Sequence, residues 1–228
     1  MSKKKYIMIT GVIIVLIVVF YRYIFHFLGI TPNVTAAQIT YQNLLYSRFL
    51  FWGIAIFLFL YAHFAEKQDL LLKKPERRRI GFYLLSIVGI YGAILLSGIL
   101  LMLILKILGY PVTEQGDYLK HLAGILRAHP VLLLFTCITA GITEEIIFRG
   151  YLQQRIELIF KSPVAGIIIS SVFFGLAHAF YGTIQQVAIP FAIGIIFSIY
   201  YFKYKNIYVL MVFHFLFDYI QLLLMHIK

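Results

Sequence analysis

Ile138 to Gly150 read ITAGITEEIIFRG, two glutamates and an arginine set inside an apolar helical run. A charged side chain at bilayer depth is costly, so such groups are rare and face a partner or a polar interior. Adjacent helical positions point about 100° apart, so Glu144 and Glu145 cannot do the same job. Glu145 and Arg149 stand at i,i+4 and can pair, which neutralises one carboxylate and leaves the other free. The bland alternative is a helix end whose charges snorkel into water.

Working outward, the 228-residue chain is 62% hydrophobic and only 13% charged, which excludes an ordinary soluble domain. Lys and Arg number 20 against 9 Asp and Glu, but the excess sits in short connections between apolar runs, which is a topology signal and not a nucleic-acid footprint. The single cysteine, Cys137, lies in an apolar run and excludes an intramolecular disulfide framework. Lys3, Lys4 and Lys5 followed by an apolar run mimic a signal peptide, but Tyr21, Arg22 and Tyr23 stand where small cleavage-site residues belong. The run reads as an uncleaved first span.

The expected fold is all-α, with seven transmembrane helices at roughly 6–28, 44–64, 80–108, 130–148, 163–180, 187–202 and 207–226. The third is over-long and carries Gly89, Gly92, Gly98 and Gly109, which predicts a tilt, a break or close packing. No internal repeat is visible. Residues 1–108 hold the first three helices as one part and 109–228 the last four as another. Basic residues fall in every second connection: Lys3 to Lys5, then Lys67 to Arg79, then Arg149, Arg155 and Lys161, then Lys203 and Lys205. These connections are expected in the cytoplasm, with the amino terminus inside and the carboxyl terminus outside. Segment 149–161 either continues the fourth helix or lies in the interface. Asn33-Val34-Thr35 matches a glycosylation acceptor, a short and weak pattern.

Only three of the nine acids fall inside expected spans, Glu144, Glu145 and Asp218, and His178 and His214 join them there. A lone histidine on an apolar helix is usually a satisfied core residue, but two with three acids on three late helices point to a site. His214 and Asp218, at i,i+4, share a helix face. Gly175 and Ala177 beside His178 would let another helix approach closely. At 1.5 Å per residue Glu144 lies ~21 Å from Pro130, hence ~9 Å above the inner face of a ~30 Å core. His214 and Asp218 come at ~11 and ~17 Å from Ile207, whereas His178 comes at ~22 Å from Pro163, a poorer fit. Carboxylates and imidazoles in a partly dry cavity make a hydrolytic set around one water. They also make an N/O metal site, for which Glu144, His178, His214 and Asp218 are the candidate ligands of a divalent ion such as zinc, although no zinc spacing motif is present.

Glu144-Glu145-x-x-x-Arg149, Phe174-x-x-x-His178 and His214-x-x-x-Asp218, in that order over about the last hundred residues, resemble the CPBP intramembrane proteases. That group takes in CAAX prenyl endopeptidases and bacteriocin-processing or immunity proteins. The resemblance implies a glutamate-dependent hydrolase cutting peptide bonds at the cytoplasmic side of a bacterial cell membrane, with the bilayer and a hydrophobic peptide as its partners. It implies that Glu144 and His178 activate water, that Glu145 with Arg149 braces the first glutamate, and that His214 with its i+4 partner stabilises the oxyanion. The family often has Asn at the last position, where this chain has Asp218. Two other classes fit the same composition: a non-catalytic immunity or partner-binding protein, and a proton- or ion-coupled transporter.

Overall fold

Three helical stretches of this chain end on a lysine in the left-handed region: Lys67, Lys161 and Lys205, each at φ 53°. Their cations stand where helix carbonyls are left without partners and the dipole is negative. The structure, a computed structural model, describes residues 3–29, 39–72, 75, 77–110 and 117–225, apart from the side chains of residues 22, 26 and 117. The Asn33-Val34-Thr35 match and Lys73, Lys74 and Glu114 lie outside the described residues.

The chain is helical throughout its ordered elements: α1 (Lys3–Val19), α2 (Tyr21–Phe27), α3 (Tyr41–Leu60), α4 (Ile80–Ile107), α5 (Asp117–Ala128), α6 (Pro130–Thr139), α7 (Gln154–Phe160), α8 (Pro163–Ala177), α9 (Gln185–Tyr204) and α10 (Ile207–Leu224). Among the described residues no strand is formed. π-helical turns extend α3 over Tyr61–Glu66 and join α6 to α7 over Ala140–Glu144 and Ile146–Gln153. Six helical stretches are long and apolar enough to cross a membrane, including the 31-residue run Pro130–Phe160. The protein is therefore a multi-pass membrane protein. The expected first span is α1 and α2, joined through Phe20, whose N–H bonds the Leu16 carbonyl and whose carbonyl takes the Ile24 N–H.

Local chemistry starts these helices where the sequence allows. Thr40 caps the Asn43 N–H, Ser162 caps that of Ala165 ahead of Pro163, and Asn206 caps those of Tyr208 and Val209. The basic connections share one end of the bundle, where Tyr61 donates to the Ile7 carbonyl, Gln154 takes the Leu72 N–H, and the Phe82 and Tyr204 rings meet. At the opposite end Arg127 bonds the Leu222 and Leu223 carbonyls and Tyr23 that of Leu176. This alternation agrees with the sequence-based topology, and α10 ends away from the basic side.

Three expectations are corrected. Arg149 and Arg155 are not loop charges: both are buried, with carboxylate partners. Arg155 Nε and Nη2 donate to Glu66 Oε2 at 3.0 and 2.7 Å while the Tyr151 hydroxyl donates to Oε1 at 2.7 Å, so Glu66 is a further buried acid. Segment 149–161 continues the fourth span, the first of the two alternatives expected for it, and a second ion pair compensates the charge it carries inward. The long third span, α4, is unbroken, and a Cβ at Gly89, Gly92 or Gly98 would meet nothing within 4 Å, so these glycines mediate no close packing. The connection 109–129, read as a loop, contains amphipathic α5, with Leu122 and Leu126 buried against Leu132 and Leu133 of α6.

Glycine does bring backbones together around the acidic helix. A Cβ on Gly141 would stand 2.8 Å from the Met211 carbonyl oxygen and 2.9 Å from the Phe215 nitrogen, so the acidic segment and α10 touch there. At Gly175 it would lie 2.9 Å from the Val187 carbonyl, the close approach that the sequence predicts beside His178. Gly141→Ala is expected to wedge α10 away just upstream of His214. Both the melting temperature and any site function should fall, and an unchanged thermal profile would show the contact to be slack.

Candidate active site

The π-helical turns put the acidic segment in an unusual register, a feature that recurs at functional sites. Within it the adjacent carboxylates diverge. Glu145 is fully buried and its Oε1 receives two donors, Arg149 Nη1 at 2.9 Å and His214 Nδ1 at 2.9 Å. Glu144 turns the other way, lines a cavity, and its Oε2 has no hydrogen-bond partner among the described residues. The expected division into one paired and one free glutamate is what the backbone produces, with His214 as an added partner.

Arg149 reaches Glu145 through a cage of aromatic rings. Its guanidinium lies 4.2 Å from the Phe174 ring centroid and 5.0 Å from that of Phe197, which lets a buried cation face π-electron density where hydrogen-bond donors lack acceptors. Phe174 also meets Phe148 edge to face at 5.1 Å and stands 5.0 Å from the His178 ring and 6.1 Å from that of His214. Phe174 belongs to a motif read from the sequence, whereas Phe148 and Phe197 are site residues that sequence alone passes over, since phenylalanine abounds in every span.

His178 sits just past the end of α8 and its Nδ1 contacts the Phe174 carbonyl at 2.8 Å. A carbonyl only accepts, so Nδ1 carries the proton and Nε2 is left for the cavity. His214 is buried between three carboxylates: Nδ1 on Glu145, and Nε2 at 4.0 Å from Glu144 Oε2 and 3.5 Å from Asp218 Oδ2. The i,i+4 relation of His214 and Asp218 holds, and Asp218, at 31% side-chain exposure, is more open than His214 or Glu144.

Two adjoining hollows share Glu144, His178, Arg48, Tyr118 and Tyr181. One, of about 190 Å³, is walled by α1 and α3; the other, of about 310 Å³, reaches His214 and Asp218 between α5, α9 and α10. All six site residues expected from sequence therefore gather around one region, with Glu145 and Arg149 behind its wall. As for a metal, among the described residues no group of three or more His, Cys, Asp or Glu side chains is arranged to hold one. The four candidate ligands line a common hollow without converging on one point.

Glu144 lies about midway along the helical run Pro130–Phe160, whose far end is the basic one. Toward that end the core is solid, with Tyr151, Leu152, Arg155, Tyr201 and Leu210 all at 1% exposure or less. The hollows are walled instead by residues of the opposite end, Ile39, Tyr118 and Tyr181 among them. This removes the misfit of His178, which belongs at that end.

Comparison with known proteins converges on the same region. Residues 127–220 match the family described as type II CAAX prenyl endopeptidase Rce1-like, a span that holds all six candidate residues. A protein of Bacillus subtilis (strain 168), provisionally named membrane peptidase YdiL, is 27% identical over 143 residues, 60% of this chain. Those residues cover 54% of that relative, so the chain spans about half of its length. Among solved structures none matches the chain. The motif order, the family match and the relative lead to one conclusion: over residues 127–220 the chain is similar to the Rce1-like type II CAAX prenyl endopeptidases.

Proposed function

We propose that this protein is a glutamate-dependent intramembrane endopeptidase that hydrolyses peptide bonds in membrane-associated or hydrophobic peptides, in the cell membrane of a bacterium. The observation that carries the reading is Glu144: a carboxylate oxygen without a partner, facing a hollow that also holds the His178 ring, backed by a fully buried Glu145–Arg149 pair.

On this reading Glu144 takes a proton from water and His178 Nε2 orients that water by accepting its second hydrogen. The hydroxide adds to the scissile carbonyl, and His214 donates from Nε2 to the oxyanion while its Nδ1 stays anchored on Glu145. Glu144 then returns the proton to the leaving amine. Arg149 touches nothing that reacts; it is a positioning residue, holding Glu145 and through it the His214 ring. The reaction would take place at the mid-helix depth of Glu144, reached from the end away from the basic connections. Metal use is not needed for any of these steps, and no step is assigned to one.

Between Glu144 and the basic end the core is filled by buried side chains, Tyr151, Leu152 and Leu210 among them, which supports hydrolysis over transport. The deciding experiment is incubation of purified protein in liposomes with fluorogenic hydrophobic peptides, with and without chelator. Cleavage that persists in chelator and vanishes on Glu144→Gln supports the proposal, and absence of cleavage of any peptide counts against it.

Asp218→Asn probes the third histidine contact. Asn keeps the shape and a hydrogen-bonding oxygen 3.5 Å from His214 Nε2 but removes a negative charge beside the place where an oxyanion forms. Turnover should survive, within about tenfold of the parent, if Asp218 serves as an orienting partner. Turnover lost together with a bound metal would instead make Asp218 a ligand.

A further inference from the structure

We infer that Arg48 is a substrate-binding residue whose guanidinium takes a carboxylate of the peptide held in the hollow lined by Glu144 and His178. The inference rests on the peptidase reading and names a substrate feature for it.

Arg48 lies on α3, about 10 Å along the helix axis from Tyr41, inside a membrane-spanning stretch and outside the residues that the family match covers. It is half-buried and lines both hollows. A guanidinium keeps its charge under all physiological conditions, so at this depth it calls for an anion. Among the described residues it has none within ion-pair distance. Its Nε and Nη2 donate to the Ser47 hydroxyl at 3.3 and 3.1 Å, and it stands 5.5 Å from the Phe51 ring centroid.

Ser47 gives its own proton to the Leu44 carbonyl at 2.7 Å, so its lone pairs are what Arg48 meets. The hydroxyl thereby steadies the arginine without neutralising it. The nearest walls are apolar, from Val18, Leu44, Phe148 and Ala177. A fixed cation in an apolar trough, on the same hollow as a free glutamate, fits a hydrophobic peptide that bears one carboxylate a short distance from the bond to be cut. The carboxylate is either the chain terminus or an acidic side chain.

The test uses the detergent-solubilised full chain and three fluorophore-labelled hydrophobic hexapeptides: one with a free carboxyl terminus, one amidated, and one amidated with a single internal glutamate. Binding is read by fluorescence anisotropy and cleavage by product release. The parent protein should bind one or both acidic peptides about tenfold or more tighter than the neutral one, as expected for a charge-assisted contact. Which acidic peptide is preferred identifies the source of the carboxylate.

Arg48→Gln should abolish that preference by raising KM for the acidic peptide toward that of the neutral one. Arg48→Lys, which keeps the charge but loses the fork, should retain part of it. The inference is overturned if the parent shows no preference, a result that needs no variant. It is equally overturned if Arg48→Gln keeps the preference. Acid-selective binding without cleavage would remove the peptidase reading and leave the carboxylate site standing; cleavage without selectivity would do the reverse.

Discussion

Glu144→Gln is expected to lower peptide turnover by two orders of magnitude or more, at least about 100-fold, while leaving the melting temperature unchanged. The amide keeps the volume and planar shape of the carboxylate but cannot accept a proton from water. Stability should hold because the Glu144 Oε2 atom makes no hydrogen bond within the fold, so nothing is lost with the charge. His178→Ala should cost a similar factor, and the double variant little more, because groups acting on one water are not additive. Peptide binding measured by anisotropy should stay near the parent value. Cleavage at the parent rate by Glu144→Gln would refute the proposed chemistry.

Arg149→Ala should do the opposite kind of damage, to fold and activity together. The guanidinium is 1% exposed, held at 2.9 Å from Glu145 and stacked near two phenylalanine rings. Its removal strands a fully buried carboxylate whose remaining partner is His214, and breaking a buried pair in this way costs about 3–5 kcal/mol. For a chain of this size that corresponds to a fall in Tm on the order of 10 °C. Turnover should fall with it, since the His214 ring loses the fixed anion that orients it. Pairing Arg149→Met with Glu145→Gln should restore much of the Tm, because neither charge then remains buried alone, without restoring turnover. A single Arg149→Ala variant with parent stability and activity would make the pair incidental.

These two changes separate what a sequence can tell from what it cannot. The membrane class, the helical fold and the spans are legible because lipid imposes one rule on every segment, that its backbone be satisfied within itself. The division of labour between Glu144 and Glu145 is legible as well, because the angular spacing of helical residues is fixed before any tertiary contact is made. So is the company of His178, His214 and Asp218, since each is anomalous in an apolar run. Arg48 is anomalous in the same way and could have been noticed as a lone cation within a span.

Other features depended on how the helices meet. That Glu145 is shared between Arg149 and His214 rests on Gly141 admitting the α10 backbone at van der Waals distance. The aromatic cage of Arg149 draws on Phe174 and Phe197, from two helices that nothing in the chain's periodicity sets apart from other apolar spans. The burial of Arg155 against Glu66 joins residues 89 positions apart and turned an apparent loop charge into a core ion pair. That pair accompanies the continuation of the acidic helix to Phe160, with Glu144 at mid-helix and the hollow opening toward the weakly charged end. Sequence spacing determined which groups share a helix face; only packing decided which charges are compensated, and hence which carboxylate is left free to react.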